Sequence, residues 1–355
     1  MDRHDQALAI LHRGTVIPAI PLVLDGQRRF APDLQRRLIR YYLSCGVGGL
    51  AVAVHTTQFE IRDPAYSLFE PVLSLAAEEI DAYEQETGTT IIRIAGACGE
   101  TEQACQEAET AKRLGYDAVL LSPGGLAHLS EEELIRRTRN VAAIMPVVGF
   151  YLQTACGGRR LSFDYWRATA DIPNVAAMKC ASFNRYQSID LVRGVAFSAR
   201  RDQIALYTGN DDNIVADLLT PYCFDVAGTK VTLRFVGGLL GHWSVWTKKV
   251  VELFAELKQY QDGRDIPARL LAEGVAVTDC NGAFFDVANH FSGCIPGVHE
   301  VLRRQGLMPG AWCLDPGEVL SPGQTEEIDR VYAMYPQLCD DPYVQGRLPL
   351  WGKQK

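Results

Sequence analysis

The chain has 355 residues, of which 47% are hydrophobic and 22% are charged, and its formal net charge is −8. These values are ordinary for a globular protein in water, and no apolar run approaches the length of a membrane span. The acidic balance argues against a dedicated nucleic-acid binder, because such proteins usually carry a basic excess on at least one segment. We therefore expect neither nucleic acid nor membrane as a partner.

The N-terminal stretch MDRHDQALAILHRG lacks the long apolar core and the cleavage site of a signal peptide. The 10 cysteines are scattered, with no CxxC pair and no cluster at metal-ligand spacing. In a large intracellular chain such cysteines are most simply reduced thiols. We expect a cytoplasmic protein with no metal site and no cofactor.

Short runs of β-branched or small apolar residues recur along the chain, with amphipathic stretches between them. The eight runs, in order, are TVIPAIPLVL, GLAVAVHTT, TTIIRIAG, YDAVLLSPG, MPVVGFYLQ, NVAAMKCAS, DQIALYTGN and FDVAGTKVT. The spacing predicts helices over residues 32–45, 64–88, 101–114, 130–144, 162–171, 188–199 and 213–221, and over about 238–261.

Strict alternation of strand and helix implies parallel strands, and eight such units close into a (β/α)8 TIM barrel. A doubly wound sheet is the alternative, but PLVLDGQRRF at the first run has no GxGxxG fingerprint. After Gln261 the alternation ends and the segments are helical, with Pro and Gly breaks. We predict a barrel with a short N-terminal arm over residues 1–262, and a helical C-terminal extension packed on it over residues 263–355.

The active site of a (β/α)8 barrel lies at the carboxyl ends of its strands. Lys179 closes the sixth run and Tyr151 closes the fifth. By strand parity Lys179 shares a face with Ala177, and Tyr151 shares a face with Gly149. We therefore expect the amine and the phenol to point together into the mouth of the barrel.

A buried ammonium has a lowered pKa, because desolvation disfavours the charged form. The neutral amine of Lys179 could then form a Schiff base with a ketone or aldehyde, and a nearby tyrosine could move the protons. The protonated imine is an electron sink, so an adjacent carbon–carbon bond can break or form, or water can be lost or added. The alternative for Lys179 is a side chain that reaches solvent from the strand end.

With these positions in place, the chain resembles the dihydrodipicolinate synthase and N-acetylneuraminate lyase family of Schiff-base aldolases. IPNVAAMKCAS is similar to the family's Ile-Pro-Asn-x-x-Gly-x-Lys-x-Ser segment, whose lysine forms the Schiff base. FYLQTACGG stands where the family has a Tyr-Asn-x-Pro segment with the catalytic tyrosine, and HTTQFE where it has a Gly-Thr-Thr-Gly-Glu turn that cradles the carboxylate of a 2-oxo acid. YTGNDD resembles its Ser-Gly-Asp-Asp turn, GTVIPAIPLVLDG its opening strand and FDVAGTKV its Gly-rich eighth strand.

The resemblance implies that Lys179 is the nucleophile, Tyr151 the proton-relay group, and Thr56 and Thr57 the carboxylate contacts. It implies a class I, metal-free carbon–carbon lyase, aldolase or hydratase-aldolase that acts on pyruvate or a related 2-oxo acid, assembled as a homo-oligomer, a dimer or tetramer. A dehydratase of a sugar-derived 2-oxo acid would use the same imine, and a barrel that binds a 2-oxo acid without turnover is a further alternative. A phosphate-binding barrel with GGLLGH at a helix start is another.

Several positions depart from the family's pattern. Gly124 and Gly125 stand where the synthases have a pair of tyrosines, and Cys156 where they have an arginine for a substrate's carboxylate. Dihydrodipicolinate synthesis itself is therefore not the expected reaction. His55 replaces a glycine and could serve as an acid or base, or as a hydrogen-bonded structural residue. Gln58 replaces another glycine, which should change the shape of that turn.

Other polar side chains close the later runs and complete the candidate set. Asn210, Thr229 and Lys230 are expected to contact the substrate, and Lys230 is also a rival amine for the Schiff base. Asp211 and Asp212 lack a histidine or a third carboxylate at ligand spacing, so they indicate a helix cap rather than a metal site.

Overall fold

The computed structural model describes residues 2–261 and 263–351. Its strands are β1 (Val16–Pro18), β2 (Gly49–Val52), β3 (Ile92–Ala97), β4 (Ala118–Leu121), β5 (Val147–Leu152), β6 (Val175–Ala181), β7 (Ala205–Thr208), β8 (Tyr222–Val226), β9 (Thr229–Leu233) and β10 (Phe235–Leu240). Its helices are α1 (Arg3–Arg13), α2 (Pro32–Cys45), α3 (Phe69–Thr87), α4 (Thr101–Arg113), α5 (Glu131–Ala142), α6 (Phe163–Ala170), α7 (Arg185–Ala196), α8 (Ile214–Leu219), α9 (Thr247–Lys258), α10 (Ala268–Phe284), α11 (Cys294–Arg304), α12 (Gln324–Met334) and α13 (Asp341–Trp351).

Eight strands form one sheet in the order β1-β10-β7-β6-β5-β4-β3-β2. The pairs from β3 to β7, and the pair of β7 with β10, are parallel. The two strands at the ends of this order, β1 and β2, meet at a parallel bridge between Ala19 and Ala51, so the sheet closes on itself. The predicted fold class, a (β/α)8 barrel followed by C-terminal helices, is confirmed.

The chain divides into two compact units. The first is built on Ile92–Leu239, together with the residues before Val16 and the short segment after Glu256. Strands β3 to β7 of this unit are buried along their whole length, which is why they read as continuous apolar runs. The second unit holds Val16–Ile91, Leu240–Glu256 and the chain from Pro267 onwards. The predicted boundary near residue 262 stays a prediction.

Helix limits follow from the capping residues that the sequence displays. Helix α2 has the predicted limits, with a proline in its first turn and Gly46 in the left-handed region at its end. At α5, Ser130 and Glu133 form a reciprocal capping box. Such local signals explain why most helices lie within a few residues of their predicted ranges.

The prediction that FDVAGTKVT is the eighth barrel strand is wrong. These residues form the antiparallel hairpin of β8 and β9, outside the barrel sheet. Ala227 and Gly228 at its tip have φ angles of 51° and 83°. Two successive positive φ angles are what a tight two-residue hairpin turn requires. The run is therefore two short strands with a turn between them.

The eighth barrel strand is β10, whose sequence FVGGLL gives a weak strand signal because of its glycines. A Cβ on Gly237 would lie 2.4 Å from the carbonyl oxygen of Thr15 and 2.8 Å from Cε1 of Tyr207, so the backbone approach demands glycine. The helix predicted from about Gly238 begins only at Thr247. GGLLGH accordingly ends β10 and leads into a 3-10 turn at His242–Ser244, and not into the predicted helix.

Across residues 2–261 and 263–351, no helix is long and apolar enough to cross a membrane. In the same residues, no group of three or more His, Cys, Asp or Glu side chains could hold a metal ion. The cysteines are free thiols, and Cys45, Cys180, Cys280 and Cys313 are buried.

Candidate active site

Lys179 lies near the carboxyl end of β6, where only 8% of the residue is exposed. Its Nζ lies 4.4 Å from the centroid of the Phe150 ring. Burial lowers the pKa of Lys179 from 10.5 to about 8, against the opposing influence of Asp211 and Cys156. At pH 7 the Lys179 side chain is then a neutral amine in about a tenth of the molecules. The neutral amine is the form that attacks a carbonyl.

Gly209, in the turn after β7, makes room for this side chain. A Cβ on Gly209 would lie 2.5 Å from Cε and 3.1 Å from Cγ of Lys179. The Gly209 N–H donates to the carbonyl oxygen of Cys180 at 2.6 Å, which ties the turn to β6. The glycine of YTGNDD therefore has a steric role toward the amine that the sequence alone did not show.

The register between β5 and β6 decides which β5 side chain lies beside Lys179. Strand β6 carries one extra residue, Ala176, opposite the step from Val147 to Val148 in β5. Such a bulge moves all later pairs along by one residue. As a result Phe150, and not Tyr151, is the register partner of Lys179.

Tyr151 lies on the other face of β5, against helix α6. Its ring centroid is 4.9 Å from that of Trp166, and its hydroxyl accepts the Leu161 N–H at 3.3 Å. The expectation that Tyr151 points into the barrel mouth beside Lys179 is therefore wrong. The expectation assumed that side chains alternate regularly along each strand, without a bulge. No residue type in NVAAMKCAS indicates the bulge.

Two ionisable neighbours act on the Lys179 ammonium, the Asp211 carboxylate and the Cys156 thiol. Asp211 is 7% exposed and lies in a tight turn, where its N–H donates to the carbonyl oxygen of Gly209 at 3.1 Å. Cys156 ends a 3-10 turn directly after β5, and Gln153 Nε2 donates to its Sγ at 3.4 Å. From the sequence alone, Asp211 is predicted to cap a helix and Cys156 marks only the position of a missing arginine.

Asn210, which was expected to contact the substrate, has its side chain bonded inside the protein. Its Nδ2 donates to Asp217 Oδ2 at 2.8 Å and to Ser188 Oγ at 3.2 Å. Its Oδ1 accepts the Phe183 N–H at 3.0 Å. The amide thus joins the turn after β6 to the turn after β7, and so supports the segment that carries Asp211.

A polar cavity of about 150 Å³ opens beside these two turns. Its lining offers amide, hydroxyl, guanidinium and carboxylate groups, from Asn184, Arg185, Ser188, Asn210, Asp212 and Asn213. Arg185 Nη1 in this lining lies 2.7 Å from the buried Oδ1 of Asp217 and forms an ion pair with it. A mixture of donors and acceptors of this kind suits a ligand with several hydroxyl groups.

The Thr-Thr motif forms the 3-10 turn His55–Thr57 after β2. Thr56 Oγ1 donates to the carbonyl oxygen of Ala19 at 2.7 Å, and Thr57 Oγ1 donates to that of Ile20 at 2.7 Å. Each hydroxyl has a single hydrogen, so neither can also donate to a ligand in this rotamer. A carboxylate contact here requires the backbone N–H groups or a rotated hydroxyl.

The two residues that replace family glycines in this turn have different environments. The half-buried ring of His55 lies 5.9 Å from that of Phe59. Gln58 has a φ of 68°, so it keeps a backbone conformation that favours glycine, at a cost of roughly 1–3 kcal/mol. Its Oε1 accepts the Leu314 N–H at 2.6 Å, which offsets part of that strain.

Thr229 and Lys230, the other expected substrate contacts, lie on the outer hairpin. Both are exposed, and Lys230 stands opposite Asp225 in the antiparallel register. The structure therefore does not bring them to the carboxyl end of a barrel strand. Their assignment followed from taking the hairpin for the eighth strand.

Fold and site together define a class: a (β/α)8 barrel with a buried, partly neutral lysine on its sixth strand. The sequence pattern of the dihydrodipicolinate synthetase family matches residues 13–224. The chain belongs to this family, as its motifs indicated.

Curated relatives agree with this membership. The chain is 28% identical to the N-acetylneuraminate lyase of Citrobacter koseri over 207 residues, which are 58% of this chain and 65% of that protein. An N-acetylneuraminate lyase of Salmonella typhimurium strain LT2 matches to the same extent. The chain thus spans slightly less than two thirds of the length of the curated relatives it matches.

Solved structures share the fold. The dihydrodipicolinate synthase of Acinetobacter baumannii, solved with pyruvate, superposes with a TM-score of 0.71 at 18% identity, over 90% of this chain and 98% of that one. The N-acetylneuraminate lyase of Fusobacterium nucleatum superposes with a TM-score of 0.69 at 12% identity, over 91% of this chain and 99% of that one. This chain and these two solved structures therefore have the same fold.

Proposed function

We propose that the protein is a class I, Schiff-base-forming carbon–carbon lyase or aldolase, or a hydratase-aldolase, that acts on pyruvate or a related 2-oxo acid. The observation that carries the proposal is Lys179, a buried amine with a pKa of about 8 near the end of the sixth barrel strand. Membership of the dihydrodipicolinate synthetase family supports it, as do relatives named N-acetylneuraminate lyases.

In the proposed reaction the Lys179 amine adds to the keto carbon of the 2-oxo acid, and loss of water leaves a protonated imine. The imine draws electrons from the neighbouring carbon, so that a carbon–carbon bond can break or form there without a metal ion. The Phe150 ring, 4.4 Å from Nζ, attracts a cation at this position. The Asp211 carboxylate also favours positive charge on Lys179.

A dehydratase of a sugar-derived 2-oxo acid is the second candidate. The polar cavity at the turns after β6 and β7 is the observation that supports it: Lys179 does not line this cavity, but the cavity's amide, hydroxyl, guanidinium and carboxylate groups would suit the hydroxyl-bearing part of such a substrate. Both candidates use the same imine and differ in the bond that breaks next. Dihydrodipicolinate synthesis is not proposed, since Gly124, Gly125 and Cys156 replace the groups on which it would depend.

The test is incubation with pyruvate and borohydride, followed by peptide mass mapping. We expect a reduced adduct on the peptide that contains Lys179. An unmodified Lys179 would overturn the Schiff-base proposal for pyruvate. An adduct without turnover of any aldehyde or sugar-derived 2-oxo acid would indicate the binding-only barrel, whereas water loss without carbon–carbon cleavage would identify the dehydratase.

The assignments of Thr56 and Thr57 to the substrate's carboxylate, and of His55 to substrate binding, stay predictions. We also propose a cytoplasmic homo-oligomer, a dimer or a tetramer. The free thiols of the chain fit a reducing compartment. Light scattering of the purified protein measures the assembly, and a monomer at micromolar concentration would contradict the second part of this proposal.

A further inference from the structure

Asp217 is a buried carboxylate on α8 to which the proposed reaction gives no role. None of its side chain is exposed. Such a group is costly to bury unless hydrogen-bond donors surround it. Its Oδ1 accepts from Arg185 Nη1 at 2.7 Å and from Asn213 Nδ2 at 3.0 Å. Its Oδ2 accepts from Thr208 Oγ1 at 2.7 Å and from Asn210 Nδ2 at 2.8 Å. Donors thus hold both oxygens in place.

The two donors to Oδ2 stand on either side of Gly209. Thr208 is the last residue of β7, and Asn210 directly follows Gly209. Thr208 Oγ1 also accepts the Asn210 N–H at 3.2 Å, so the hydroxyl, the amide and the carboxylate form one closed network. A single carboxylate oxygen therefore fixes the backbone both before and after Gly209, in the turn of residues 208–210.

This turn lies against the side chain of Lys179. A Cβ on Gly209 would lie 2.5 Å from Cε and 3.1 Å from Cγ of Lys179. Thr208 is the register partner of Cys180, the residue after Lys179, and the Gly209 N–H donates to the carbonyl oxygen of Cys180 at 2.6 Å. Because the contact is close-packed, a small movement of the turn changes the space that the amine occupies.

We propose that Asp217 is a positioning residue for the Lys179 amine and acts through the turn of residues 208–210. The inference rests on the proposed Schiff-base function and adds to it a residue that works through its neighbours. The carboxylate holds the turn against β6, so the Lys179 side chain stays enclosed and water stays out. Enclosure keeps a fraction of the amine neutral, because desolvation disfavours the ammonium.

The test measures the rate of imine formation with pyruvate in the purified full chain, in samples stopped with borohydride from pH 6 to pH 10.5. In the unmodified protein the rate should rise with pH, with a midpoint near the Lys179 pKa of about 8. Thr208→Val removes one donor to Asp217 without a change of charge. We expect its midpoint to rise by about one pH unit. The rate should fall about tenfold at pH 7 and less than about twofold at pH 10.5.

Two further variants separate the hydrogen bond from other effects. Thr208→Ser keeps the hydroxyl and should restore the midpoint of the unmodified protein. Asp217→Asn should raise the midpoint at least as far as Thr208→Val. Loss of a negative charge by itself would lower the pKa of a lysine, so a rise in the midpoint identifies the turn as its cause.

Asp117 provides the matched control, because it is another buried carboxylate held by an arginine. Its side chain is 1% exposed, and its Oδ1 lies 2.7 Å from Arg3 Nη1. Its Oδ2 accepts the Arg93 N–H at 3.0 Å. Asp117 directly precedes β4, at the amino end of a barrel strand. Asp117→Asn should lower the melting temperature, as we expect for Asp217→Asn, but leave the midpoint of the trapping rate unchanged.

An unchanged midpoint in Thr208→Val, with a normal melting curve, would overturn the proposal. A rate that falls by the same factor at every pH, or a midpoint that rises equally in Thr208→Ser, would have the same consequence. If Asp217→Asn does not fold, the two Thr208 variants decide the question. Failure of the unmodified chain to form any adduct would instead refute the Schiff-base function on which the inference rests.

Discussion

Two lysines at the ends of apolar runs have opposite environments in this protein. Lys179 lies on β6, where every residue is buried, and its pKa is lowered to about 8. Lys230 lies on β9, where only one of the five residues is buried, and it is exposed opposite Asp225. The comparison shows that enclosure of the strand on both faces, and not its place at the end of a run, lowers the pKa of a lysine amine.

The largest expected effect is the loss of adduct formation in Lys179→Ala. Without the buried amine, trapping with pyruvate and borohydride should fall to background, at least 100-fold below the unmodified protein. Lys230→Ala should trap at the unmodified rate, because its side chain lies on the outer hairpin. Equal losses in the two variants, measured by peptide mass mapping, would contradict the distinction between the two lysines.

A smaller but still large effect is expected for Gly209→Ala, which places a Cβ 2.5 Å from Cε of Lys179. The amine must move, so we expect the trapping rate to fall roughly tenfold and the free energy of unfolding to fall by about 1–3 kcal/mol. Gly282→Ala is the control, since a Cβ there meets nothing within 4 Å. An unchanged trapping rate in Gly209→Ala would show that the space beside the amine is not tightly filled.

Lys179→Met tests the energetic cost of the buried charge. The pKa of Lys179 is about 8 in the folded protein and 10.5 in the unfolded chain. The unfolded chain therefore binds more protons between these values, so the cost is full below pH 8 and disappears as the pH rises through 10.5. Below pH 8 the variant should be more stable by up to about 3 kcal/mol. Chemical denaturation at pH 7 and pH 10.5 measures the difference in the free energy of unfolding between the variant and the unmodified protein. A difference that grew with pH would contradict the assignment of a lowered pKa to Lys179.

Tyr151→Phe should have the smallest effect of the series. The change removes the hydrogen bond from the Leu161 N–H, worth about 1 kcal/mol, but leaves the contact with Trp166 in place. We expect the trapping rate to change less than about threefold, since general acid–base groups contribute far more. A 100-fold fall in the trapping rate would indicate that Tyr151 is the proton-relay group. It would also contradict the observed register of β5 and β6.

Much of the fold was predictable because it depends on local patterns. Apolar runs separated by amphipathic stretches indicated parallel strands with helices between them, and caps such as Ser130 and Gly46 placed helix ends closely. The mistaken eighth strand had a local cause as well, because the turn at Ala227 and Gly228 is short enough for two strands to look like one.

The sequence by itself determined the fold class and singled out Lys179. The reason is that residue types alone show an apolar strand and a cation within it. Only the tertiary structure decided that Phe150 stands beside the amine, that Tyr151 faces α6, and that Asp211 and Cys156 act on Lys179. The physical reason is register: one extra residue in β6 changes every later pairing, and a bulge arises from strand pairing rather than from the identity of one residue.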